Sequence, residues 1–225
     1  MRRAFVPLVV LLGLLAPGAL LGQHVPSPYR YLEETHSLGL FGGYLVTEPG
    51  DPPQGPQSAP LLGARYSLRL SGPLSGEALV AFAPAERRLF QAPVVGTPEP
   101  TEVGRVEMPL LLAEGGLRFS LTGARTWRGL APYVVGSLGL VTNLRGAEAR
   151  ERTLPNEARF RFGPGLAVGV GGGLEWYATQ RLSLQLEARE RFWRVVTPGT
   201  FRPDGREESD WTPNLGLSAG AAIHF

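Results

Sequence analysis

Past residue 34 the chain is dominated by a period of two. Apolar positions alternate with small or polar ones in eight segments, approximately 35–47, 60–71, 77–90, 107–122, 132–143, 162–177, 181–196 and 212–225. In the last, Leu215, Leu217, Ala219, Ala221, Ile223 and Phe225 share one face, and Asn214, Gly216, Ser218, Gly220, Ala222 and His224 share the other. In the sixth, Leu166, Val168, Val170, Leu174 and Trp176 oppose Gly165, Ala167, Gly169, Gly171, Gly173 and Glu175. In the seventh, Leu182, Leu184, Leu186, Ala188 and Phe192 oppose Ser183, Gln185, Glu187, Arg189 and Arg191. The second repeats the pattern, with Leu62, Ala64, Tyr66, Leu68 and Leu70 against Gly63, Arg65, Ser67 and Arg69. This period predicts strands, because successive side chains of an extended chain point to opposite faces. The first, third and fifth segments leave the assignment of faces open.

The predicted strands are long. Soluble sheets use ~5–6 residues per strand, whereas a tilted strand crossing a bilayer needs ~9–11. The connections alternate in length: short at 72–76, 123–131 and 178–180, long and polar at 48–59, 91–106, 144–161 and 197–211. Short turns at one end and long loops at the other are the asymmetry of a membrane barrel. Period two alone does not say which face is inside. A soluble barrel turns its apolar face inward around a core or ligand; a membrane barrel turns it toward lipid. Strand length, the Gly, Ala and paired charges of the polar face, and aromatic residues near strand ends favour the membrane arrangement. Trp127, Tyr133, Trp176 and Tyr177 lie near the short turns, and Tyr44, Phe90, Phe192, Trp193 and Trp211 near the long loops. Those are the positions expected of two interfacial girdles.

The N-terminus adds a destination. Met1-Arg2-Arg3 precedes an apolar run from Ala4 to Leu21, with small residues near Gly18 to Gly22, the layout of a secretory signal peptide. Pro7 and Pro17 interrupt the run, so it falls short of the ~20 residues of a spanning helix. Cleavage is expected after Gly22 or Gln23, dividing the chain into a signal peptide (1–22), a periplasmic lead-in (23–34) and a barrel (35–225). All 22 basic residues are Arg; without Arg2 and Arg3 they become 20, against 20 acidic residues. The mature chain is then near neutral, which removes the electrostatic support for nucleic-acid binding. The absence of Cys excludes disulfide frameworks, thiolate metal sites and a lipoprotein anchor. With 30 Gly, 21 Pro and 9% aromatic residues, the composition fits turn-rich β-structure better than disorder.

Leu217, Ala219, Ala221, Ile223 and Phe225 resemble the C-terminal assembly signal of bacterial outer-membrane barrels, which ends in an aromatic residue preceded by apolar residues at every second position. Pro132-Tyr133-Val134-Val135-Gly136 resembles strand openings in small eight-stranded barrels of the outer membrane protein A and X type. The resemblance implies an all-β fold, a single eight-stranded antiparallel up-and-down transmembrane β-barrel, with both termini in the periplasm. It also implies the barrel assembly machinery as a transient partner that reads the last strand by edge pairing.

An eight-stranded barrel is just wide enough to be filled by its own side chains. Arg65, Arg69, Glu114, Arg118, Glu175, Glu187, Arg189 and Arg191 fall at inward positions. They are expected to form an internal Arg–Glu network, since an unpaired ion there would cost several kcal/mol; a polar conduit is the alternative. Histidine is the usual general base, and the chain has only His24, His36 and His224. His24 lies beside the cleavage site, His36 and Ser37 point to opposite faces, and His224 adjoins the C-terminus. Lipid A-modifying barrels carry their catalytic groups at the outer leaflet, where none of these would sit. No catalytic residue is assigned, and the chain is expected not to be an enzyme. A Ser–Lys dyad is excluded without Lys. Gly163, Gly165, Gly169 and Gly171 to Gly173 continue a strand alternation and do not open a helix, so they do not form a phosphate loop. Asp204, Glu207, Glu208 and Asp210 lack the spacing of a calcium loop. No cofactor or metal is expected.

These readings converge on an exported protein, a monomer in the bacterial outer membrane whose partners are lipid and an unidentified surface ligand. Its expected role is structural, adhesive or partner-binding through four long loops, without catalysis. A small-solute channel is one alternative, and a soluble periplasmic barrel holding an apolar ligand is another.

Overall fold

Period-two alternation becomes the two faces of one closed sheet. A computed structural model describes residues 27–51, 53–91, 100–145, 160, 162–201 and 206–225. The expected signal peptide, His24, Asp204 and most of the 144–161 loop lie outside the described residues. The strands are β1 (Tyr29–Tyr31), β2 (His36–Thr47), β3 (Ala59–Ser71), β4 (Leu74–Gln91), β5 (Thr101–Ser120), β6 (Arg125–Trp127), β7 (Leu130–Asn143), β8 (Gly165–Tyr177), β9 (Leu182–Thr197) and β10 (Glu208–His224). The order β7-β5-β4-β3-β2-β10-β9-β8, with β8 pairing back onto β7, makes a closed eight-stranded antiparallel barrel. The seam between the first and last barrel strands runs from Asn214 opposite Thr47 to His224 opposite Ser37.

Tight connections gather at one end, hereafter the turn end. Between β3 and β4 only Gly72 and Pro73 intervene, and Gly72 has φ of +46°, which glycine adopts without a Cβ penalty. The start of β2 and the C-terminus meet here too. His36 N–H donates to the Phe225 carbonyl and Phe225 N–H to that of His36, both at 3.0 Å. The long connections gather at the other end, the loop end.

Two local features depart from the sequence reading. The lead-in is not wholly irregular: β1 pairs with β6, Tyr29 opposite Trp127 and Tyr31 opposite Arg125. The Arg125 guanidinium donates to the Tyr31 hydroxyl and lies over that ring, 4.4 Å from its centroid. The fourth strand also begins earlier, at Thr101 instead of 107. Its added stretch is charged and lacks an apolar stripe, but its backbone pairs with β4 as far as Gln91 opposite Thr101.

The outer face is an apolar belt. Leu40 is 72% exposed, Leu186 61% and Val170 58%, too much for a soluble surface and suited to lipid. Leu217, Ala219, Ala221, Ile223 and Phe225, which resemble an assembly signal, all lie exposed on this face. The interior has two tiers. Toward the loop end it is apolar, with Leu45, Leu61, Ala83, Met108, Leu110, Leu112, Val141, Phe160 and Trp193 buried together. Toward the turn end it is polar and charged. The sequence reading expected Gly, Ser, Gln and charge throughout the lumen, and the apolar tier corrects it.

Tyr44, Trp127, Trp176 and Trp211 are exposed, while Phe90 and Phe192 are half-buried. Tyr133, Tyr177 and Trp193, expected in the girdles, are instead buried. They occupy inward positions of β7, β8 and β9, and nearness to a strand end does not decide which face a side chain takes.

Candidate functional site

The charged tier is built mainly from β9, whose alternation aims Ser183, Gln185, Glu187, Arg189 and Arg191 inward, all buried. Opposite Arg191, Arg189 and Glu187 of β9, three successive inward positions of β8 are glycines, Gly169, Gly171 and Gly173, and this leaves room for long side chains. A Cβ at Gly171 would lie 2.8 Å from the Arg189 Cα, and one at Gly173 2.5 Å from the Tyr133 ring, both closer than real Cβ atoms approach.

Arg189 is at the centre. Its guanidinium reaches Glu77 at 2.6 Å, Glu114 at 2.9 Å and Glu187 at 3.0 Å. Glu114 also accepts from Arg191 at 2.5 Å and from the Ser137 hydroxyl at 3.0 Å. Arg65 binds Glu187 at 2.7 Å and lies 3.3 Å from Glu77, and the Tyr133 hydroxyl donates to Glu187 at 2.9 Å. A second group lies nearer the turn end. There Arg118 donates to Glu175 at 3.1 Å and stacks over the Tyr133 ring, 3.4 Å from its centroid. Gln185 joins the two groups, accepting from Arg65 and donating to Glu175, each at 2.9 Å.

Seven of the eight inward charges named from the sequence are therefore in one linked set: Arg65, Glu114, Arg118, Glu175, Glu187, Arg189 and Arg191. Arg69 stands apart, half-buried and donating to the Leu32 carbonyl of the lead-in. Glu77 was not foreseen. Its strand is apolar on both faces, so its phase becomes legible only through pairing, Glu77 opposite Ser67 and Gly116. Counting Glu77, four arginines face four glutamates. Balanced charge at ion-pair distance is what lets such buried ions be tolerated.

The structure also brings together Ser183, His224 and Glu175, which the sequence reading did not connect. The Ser183 hydroxyl donates to Glu175 at 2.6 Å, and its oxygen lies 2.8 Å from His224 Nε2. Glu175 approaches that same nitrogen, at 3.3 Å. Glu175 and Ser183 both lie on the Nε2 side of the His224 ring. A nucleophilic triad needs the carboxylate on the other ring nitrogen, and Ser183 is fully buried. The trio satisfies polar groups and is not arranged for attack. Among the described residues no group of three or more His, Asp or Glu is positioned to hold a metal ion.

No protein-family model matches the sequence, and no curated protein matches it as a relative. Solved structures do match. The outer membrane protein OprG from Pseudomonas aeruginosa is 9% identical, with a TM-score of 0.53 over 85% of this chain and 97% of that one. Neisserial surface protein A is 14% identical, with a TM-score of 0.49 over 88% of this chain and 98% of that one. The outer membrane enzyme PagL is 12% identical, with a TM-score of 0.41 over 84% of this chain and 98% of that one. At these identities the likeness is one of fold: that of the small eight-stranded outer-membrane barrels. With an apolar exterior suited to lipid and a charged turn-end interior, the chain has the fold of an outer-membrane β-barrel.

Proposed function

We propose that this outer-membrane barrel is a closed body, not a pore, and that it serves the envelope structurally or by binding partners at its loop end. The observation that carries the proposal is the filled lumen. An Arg–Glu network occupies one half, and the other is packed with apolar side chains.

The turn end and both termini face the periplasm, the loops face outward, and a cleaved signal peptide directs export. The last strand is delivered by the assembly machinery. A partner-binding role is supported by the β4–β5 ribbon at the loop end. β3 pairs with β4 only as far as Leu62 opposite Phe82, and β7 with β5 only as far as Leu110 opposite Asn143. Beyond those points the two strands continue together and carry Arg88, Glu102, Arg105 and Glu107 into solvent. A non-catalytic role is supported by the Ser183–His224–Glu175 arrangement, in which the carboxylate shares the Nε2 side of the ring with a fully buried serine.

Planar-bilayer recording tests the closed lumen. The purified barrel is expected to insert without conductance steps. Regular, reproducible openings would show a wet continuous path and support a small-solute channel.

A further inference from the structure

Outside the network that plugs the lumen, a small space remains at the turn-end mouth. Between the Arg118–Glu175 pair and the lead-in residues Leu32, Glu34 and Thr35 lies a cavity of about 50 Å³. One water needs ~10–15 Å³, so the space accommodates several waters or one carboxylate or phosphate group.

Its wall is rich in donors. The Arg118 side chain is more than nine-tenths buried; Nη1 is held by Glu175, while Nε and Nη2 have no hydrogen-bond partner. Ser67 is buried with its hydroxyl unpartnered. Arg69 lines the same space with one guanidinium nitrogen on the Leu32 carbonyl. Acceptors are fewer. Glu175 already accepts from Arg118, Ser183 and Gln185, and Glu34 lies on the covering lead-in. Buried donors without acceptors are costly, and two guanidinium groups and a hydroxyl lining one cavity are the donor types that an oxyanion takes.

We propose that this cavity binds a small oxyanion, a phosphate or carboxylate, held by Arg69, Arg118 and Ser67 beneath the lead-in. These side chains occupy inward positions of β3 and β5, so the ligand is a solute entering from the turn-end aqueous space and not the headgroup of a surrounding lipid.

The test uses isotope-labelled full barrel in micelles, checked for an intact heat-modifiable band, titrated separately with inorganic phosphate and with acetate. Saturable shifts of the Arg118 Nε–H and Ser67 amide resonances with either anion are expected. Arg69→Gln should raise the apparent Kd about tenfold, the value of one charge-assisted hydrogen bond, and Ser67→Ala should raise it by a smaller factor. Arg105→Gln, on the distant ribbon, should leave it unchanged. Anionic lipid added to the micelles should not compete. No saturation with either anion, or saturation indifferent to both Arg69→Gln and Ser67→Ala, overturns the site and leaves a cavity that holds only water. Competition by lipid would overturn the solute assignment.

Discussion

Arg189 sits within ion-pair distance of three glutamates, Glu77, Glu114 and Glu187, and is almost completely buried. Replacing it with Met leaves those carboxylates one cation short in a place water does not reach. Arg189→Met is expected to lower stability by about 3–5 kcal/mol, read from urea unfolding in lipid vesicles. Arg105→Met removes an exposed contact to Glu102 at 3.8 Å and should cost less than about 1 kcal/mol. Equal losses would mean that the network does not hold the barrel. At this scale the sequence was legible where one face is polar. The Ser-Gln-Glu-Arg-Arg series of β9 declares its direction, and so does Arg65. It was illegible at Glu77, where Leu79 and Ala81 inside and Val80 and Phe82 outside look alike. It was illegible also for Ser183 and His224, whose encounter depends on the register that sets Ser183 opposite Ala222.

Elements are fixed by pairing and by what their faces leave room for. β8 places glycine at three successive inward positions, Gly169, Gly171 and Gly173, where β7 and β9 contribute Tyr133 and Arg189. Gly173→Val would push into the Tyr133 ring and break its hydrogen bond to Glu187. A loss of about 1–3 kcal/mol is expected, as for overpacking elsewhere, and Gly172→Val, on the lipid side, should lose less in the same unfolding measurement. At the closing seam the Phe225 ring stacks on His36 with centroids 5.7 Å apart and planes 10° apart, and His36 Nδ1 lies 2.7 Å from the Tyr66 hydroxyl. Deleting Phe225 should therefore slow appearance of the folded band during refolding into vesicles, and His36→Ala should slow it less. Unchanged kinetics in both would remove the terminal residue from closure. The eight barrel strands were readable as long segments between turn signals, with clear alternation in the second, sixth, seventh and eighth and open faces in the first, third and fifth. The charged part of β5 was not, because backbone pairing rather than an apolar stripe makes it a strand. Tyr133, Tyr177 and Trp193 were misread as girdle residues because sequence distance to a turn carries no information about face.

The whole molecule is inside-out relative to a soluble barrel over its turn-end half, but not over its loop-end half. That second fact was hidden because inward Leu61, Leu110 and Leu112 have the same chemistry as outward Leu62 and Leu111; only closure of the sheet separates them. The lipid belt makes a depth-dependent prediction. Leu186 lies midway along the outward run from Leu182 to Glu190, so Leu186→Arg should cost about 2–4 kcal/mol, and Leu182→Arg, at the turn-end margin, about 0–1 kcal/mol. Similar small costs at both sites, measured by unfolding in vesicles, would place the belt elsewhere. The central claim, a closed barrel seated in the outer membrane, is tested most directly by gel migration of the outer-membrane fraction with and without boiling. A closed sheet has no edge at which detergent can begin to unpair it. The unboiled protein should therefore run at a different position from the boiled one, and only the membrane fraction should contain it. A soluble periplasmic band that migrates identically before and after boiling would contradict the account.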